Sequence, residues 1–105
     1  MAIDKNTGEV ITLKVAVNYT YSFQNENPNA IKSFFVGKEK LDRILEQEDC
    51  IGIRIYNGND TETNKENRVL VGVDKDGEDI SGGVIVEELS PCPSHCPKSS
   101  PLIKP

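Results

Sequence analysis

The chain has no tryptophan, only one histidine, and aromatics at 6 % of its 105 residues. At that length it has room for one small domain and not for two. It also lacks a long apolar run, since nothing approaches the roughly 18 residues a membrane helix needs. Residues 1–10, MAIDKNTGEV, have neither the basic start nor the apolar stretch of a secretory signal. A soluble, cytoplasmic protein with no membrane partner is therefore expected. Cations are in deficit, 12 Lys and Arg against 17 Asp and Glu for a formal charge of −5. That balance opposes phosphate backbones, so no nucleic-acid partner is expected. A P-loop, a dinucleotide fingerprint, a nucleophile elbow and a basic aromatic platform are all missing. What is present suffices to fold: Ile, Val, Leu and Phe total 28 residues, above the roughly 20 % below which chains read as disordered.

Proline marks the organisation. Five of the six prolines fall in the last sixteen residues, SPCPSHCPKSSPLIKP. Each fixes φ, removes an amide donor and pushes its predecessor out of the helical region. The expected division is a flexible N-terminus over 1–10, a single α+β domain over 11–89, and an extended Pro/Cys-rich tail over 90–105. Within the domain, residues 11–24 alternate apolar and polar at strand period, from Ile11 and Leu13 to Tyr21 and Phe23. Thr12 is equally a helix N-cap, Gln24-Asn-Glu-Asn-Pro28 a helix stop, and Leu13, Ala16, Val17 and Thr20 a helical stripe. The residues leave helix and strand both open there. Residues 37–48 read as a short amphipathic helix with Leu41, Ile44, Leu45 and Glu48 on one face. Phe34, Phe35 and Val36 before it are expected core anchors.

Three strands follow, at 50–56, 68–73 and 84–88, between loops rich in Asn, Asp and Gly. Matching the aliphatic residues sets Ile51, Ile53 and Ile55 opposite Val73, Val71 and Val69 on one face of an antiparallel meander. That register places Gly52 opposite Gly72, a hollow in which a helix or the tail can dock. The expected architecture is a two-layer α+β fold, two N-terminal helices packed on a small antiparallel sheet of about three strands.

Four segments, Phe34-Phe35-x-Gly37, Gly52-x-Arg54-x-Tyr56, Val71-Gly72-Val73-Asp74 and Cys92-Pro93-x-x-Cys96, resemble a group of short uncharacterised bacterial proteins. The similarity spans most of the chain. It implies a helix over Thr12–Gln24, because the matching segment of that group has a more helical sequence, and it implies no activity.

The sharpest chemical cluster is Cys92-Pro-Ser-His95-Cys96, with Cys50 upstream. Three thiols and an imidazole make a zinc-ligand set, so Cys50, Cys92, His95 and Cys96 are the candidate metal residues, with zinc as the alternative to no cofactor. The simpler account makes Cys92 and Cys96 small apolar plugs on one side of a tight turn. A disulfide between them is sterically allowed if that turn is helical, although a cytoplasmic location opposes it. His95 is the only available base for Cys92, Cys96 or Ser94, and a proline-flanked tail is poor ground for catalysis. The acidic stretch Asp74-Lys-Asp76-Gly77-Glu-Asp79 is out of step with a calcium loop and reads as a turn with Asp76-Gly77 at its tip. Arg54 is placed to clamp a carboxylate or phosphate beside Tyr56, or to pair with Glu87 or Glu88 as a structural residue. The function that remains is a small non-catalytic module binding a protein partner. Its candidate interaction residues are Gly52, Arg54, Tyr56 and Gly72 on the sheet, and Leu102 and Ile103 in the tail.

Overall fold

The computed structural model describes residues 2–105. It is an α+β fold with the elements α1 (Leu13–Glu26), β1 (Ser33–Phe35), α2 (Lys38–Leu45), β2 (Gly52–Asp60), β3 (Lys65–Val73), β4 (Ile85–Val86) and β5 (Ser90–Cys92). They form a three-stranded sheet ordered β2-β3-β4 and a two-stranded sheet of β1 and β5. The chain divides into two compact units. One comprises the segment ending at Thr7 with Phe35–Ser90, the other Gly8–Phe34 with Pro91–Pro105.

In the first unit, α2 lies on the three-stranded sheet. Ile44 is fully buried, and it clusters with Leu70 and Val86. Val36, Leu41, Cys50, Ile53, Val84 and Leu89 pack around them, partly buried. Burying a side chain such as Ile44 contributes about 1.5–3 kcal/mol. The helix is shorter than expected. It places Glu39 in its first turn and Arg43 in its last, where each complements the helix dipole. Gly72 is the close-approach point, since a Cβ there would lie 2.9 Å from Gln47 Nε2, 3.1 Å from Cys50 Sγ and 3.3 Å from Ile44 Cγ2. Of the expected anchors, Val36 packs against the core, whereas Phe35 is 68 % exposed.

The sheet is an antiparallel meander, but its register is one residue away from the expected one. Gly52 faces Val73, Ile53 faces Gly72, Arg54 faces Val71 and Tyr56 faces Val69. The isoleucines and valines therefore lie on opposite faces. Ile53 and Ile55 share the α2 side with Leu70 and Gly72, while Val69, Val71 and Val73 share the other side with Gly52, Arg54 and Tyr56. Gly52 and Gly72 do not meet. The reason lies at the hairpin end, where register is set by the turn. Asp60 Oδ1 accepts from the Glu62 and Thr63 amides at 2.9 and 3.2 Å, and Asn64 takes a left-handed φ of 57°. This four-residue turn fixes Asp60 opposite Lys65, and aliphatic matching has no say in it.

In the second unit the ambiguous segment is helical. Thr12 Oγ1 caps α1 by accepting from the Val15 amide at 3.2 Å, and Asn27 closes it on the Phe23 carbonyl just before Pro28. End signals thus prevail over the strand-like alternation, leaving Leu13, Tyr19 and Phe23 exposed. The two expected helices are present, with two small antiparallel sheets in place of one, and α1 belongs to the unit that contains the C-terminal segment. Its buried residue is Gln24, so this is no aliphatic face seeking a sheet.

Candidate functional site

β2 is nine residues long and stands at one edge of its sheet. Which of its amides face outward follows from two hydrogen bonds. Gly72 O accepts from Ile80 N at 2.8 Å, so the Gly72 main chain points away from β2, whereas Val73 O accepts from Ile51 N at 2.8 Å and points toward it. Main-chain direction alternates along an antiparallel ladder. The partners of Val73, Val71, Val69 and Asn67, namely Gly52, Arg54, Tyr56 and Gly58, therefore turn inward. Ile53, Ile55, Asn57 and Asn59 present their N–H and C=O groups to the free edge. Ile51 and Gly52 both face Val73, a bulge at the strand's start.

A groove of about 390 Å³ runs beside this edge, walled by Ile51–Ile55 and Val73 on one side and by Ile3, Asp4, Lys5 and Thr7 on the other. The second wall is a turn held by Asp4 and Thr7, in which the Asp4 amide donates to Thr7 Oγ1 at 2.9 Å. Ile55 is 63 % exposed and Tyr56 46 %.

On the face opposite α2, Arg54 reaches across β3. Its Nη1 meets Asp79 Oδ1 at 2.5 Å and its Nη2 donates to Gly77 O at 3.3 Å, while the Tyr56 hydroxyl donates to Asp79 Oδ2. Asp79 pairs with Val73 across the strand from Gly52, so the link passes over Val71 and Val73, which are buried. The Tyr56 phenol first, and the Arg54 guanidinium after it, hold the Asp79 carboxyl below its ordinary 3.8. The same bond pushes the phenol above 10.0. Arg54 is thus engaged within the fold, and its partner is Asp79 where the sequence pointed to Glu87 or Glu88. Asp79 carried no signal of its own, being one acid in a turn. That turn closes on itself, with Asp74 Oδ1 accepting from the Asp76 and Glu78 amides and Gly77 at φ 82°.

Of the four candidate metal residues, Cys50 lies in the first unit and Cys92, His95 and Cys96 in the second. Cys92 and Cys96 are joined in a disulfide with a Cα–Cα distance of 4.8 Å. Cys50 is a free thiol that donates to Gly52 O, and the His95 amide donates to Pro91 O at 2.9 Å. Leu102 is held on α1, while the Ile103 amide donates to Ser100 O at 3.2 Å. Leu102 O accepts from Thr20 Oγ1 at 2.8 Å and from Gln24 Nε2 at 3.1 Å, and the Lys104 amide donates to Gln24 Oε1 at 2.8 Å. One side-chain amide therefore grips the backbone at two alternate positions. Sequence reading missed Gln24 as a binding residue, although it falls on the stripe of Val17 and Thr20, where burial needs an explanation for a polar group.

No protein-family model, curated protein or solved structure matches the chain. Among the described residues, no helix is long and apolar enough to cross a membrane.

Proposed function

We propose that the chain is a non-catalytic protein-binding module that receives an extended segment of a partner along the free edge of β2. The carrying observation is the row of outward-facing main-chain groups at Ile53, Ile55 and Asn57, next to an open groove walled by isoleucines. Main-chain pairing supplies affinity in such strand addition, and pockets for alternate side chains supply selectivity. Soluble proteins guard long edges with charges, prolines or covering segments. Between Ile51 and Asn59 the only charged residue is Arg54, and Asp79 neutralises it. Of the two contact surfaces expected from sequence, the edge is preferred to the tail because Leu102 and Lys104 are already held on α1. The zinc reading is set second, since Cys92 and Cys96 are bonded to each other.

The test is peptide selection on the immobilised chain followed by amide hydrogen exchange. Selected peptides are expected to slow exchange at Ile53, Ile55 and Asn57. Protection confined to α1 and residues 101–105 would overturn the reading.

A further inference from the structure

We infer that a second copy of this chain occupies the β2 edge, pairing β2 with β2 in antiparallel fashion about a twofold axis at Ile55. This deepens the edge reading and rests on it. A twofold interface must be self-complementary, and the strand Gly52–Asp60 meets that demand in one register. With Ile55 opposite its own copy, Ile53 faces Asn57 of the second copy, and the reverse, so every main-chain group used belongs to a residue that points outward. On the face opposite α2, Arg54 then lies across from the second copy's Tyr56 twice over, a cation beside an aromatic ring, and Gly52 lies across from Gly58. Centring on Arg54 would set two guanidinium groups against each other. Centring on Tyr56 would set exposed Ile55 against Asn57 and leave Arg54 facing Gly58.

Charge permits the approach even though each chain carries −5, because the paired segment contributes only the Arg54–Asp79 ion pair. The groove also has the right place. Residues 55–57 of the second copy would run between the groove's wall at Ile51–Ile55 and the turn of Ile3, Asp4, Lys5 and Thr7 that forms its far wall. Edge pairing alone buries less than a standard interface, so the association is weak and concentration-dependent.

Sedimentation velocity over a concentration series is expected to show the 11.6 kDa species giving way to one of twice that mass. Ile55→Pro removes an outward N–H without touching the β2–β3 ladder, a position where strands tolerate proline, and it is expected to abolish the shift. Cysteine scanning reads the register. Paired residues that exchange both hydrogen bonds sit about 5.5 Å apart at Cα, inside the roughly 4.4–6.8 Å range of disulfides. Ile55→Cys should therefore cross-link to its own copy at least about tenfold faster than Ile53→Cys, whose copies would lie about 14 Å apart along the strands. The unsubstituted chain supplies the Cys50 background. A constant 11.6 kDa mass, or equal cross-linking at the two positions, overturns the pairing. A constant mass with a selected peptide still protecting Ile53, Ile55 and Asn57 removes the second copy and leaves the contact edge standing. Loss of both removes both.

Discussion

Gln47 and Gly83 form a joint whose energetics can be worked from the structure. The Gln47 side chain, just past the end of α2, ties that end to the residue before β4, with Nε2 donating to Ile44 O at 2.9 Å and Oε1 accepting from Val84 N at 2.8 Å. A Cβ on Gly83 would stand 2.0 Å from Gln47 Oε1 and 3.0 Å from Ile80 Cγ2. The far end of a flexible side chain normally yields at little cost, but this end is anchored on both sides. Gly83→Ala must therefore break the bond to Val84 and strand a half-buried amide, costing about 1–3 kcal/mol. Against this stands about 0.4–1 kcal/mol from reduced freedom of the unfolded chain. The net expectation is a loss of about 1–2 kcal/mol. Gln47→Ala alone should lose about 1–2 kcal/mol for the same amide. In the Gln47→Ala background the clash with the amide is gone and only the 3.0 Å approach to Ile80 Cγ2 remains, so Gly83→Ala should cost little, a coupling of about 1 kcal/mol or more. Urea unfolding of the four proteins measures the cycle. Additive losses within about 0.5 kcal/mol would refute the joint.

Three further outcomes follow from the same structure. Asp79 has a lowered pKa, so its contribution is present above 3.8 and disappears as pH falls through the lowered value, while Tyr56, raised above 10.0, contributes below that value and loses it in alkali. Unfolding midpoints should plateau between those limits, and Asp79→Asn should flatten both flanks relative to the native chain; unchanged flanks would remove the clamp from the account. Thiol titration of the native chain should find one reactive group, Cys50, and three after reduction; three without reductant would contradict the disulfide and remove the ground on which the zinc alternative is set second. Gln24→Ala deletes two hydrogen bonds to the C-terminal backbone, and should speed exchange of the Lys104 amide by about tenfold or more, at roughly 1 kcal/mol per bond; an unchanged rate would show that the segment is held by other contacts.

The sequence alone determined what depends on neighbours along the chain. Ile44 and Leu41 marked the buried side of α2, the glycine-rich and acidic loops separated three strands in meander order, and Thr12 and the Gln24–Pro28 stop marked the two ends of α1, although the residues between them left helix and strand both open. These are short-range effects of capping, periodicity and turn chemistry, and they are written locally. The tertiary structure decided what depends on residues far apart. The hairpin turn at Asp60–Asn64 moved the register by one residue, and with it the valines passed from the Ile53 face to the Arg54 face. Asp79 became the partner of Arg54 across an intervening strand, and Gln24 became a clamp for residues 78 and 80 positions away. Pairing period in a strand is two residues, so a shift of one reverses every side chain, and no count of aliphatic residues specifies which of two adjacent registers a turn will close.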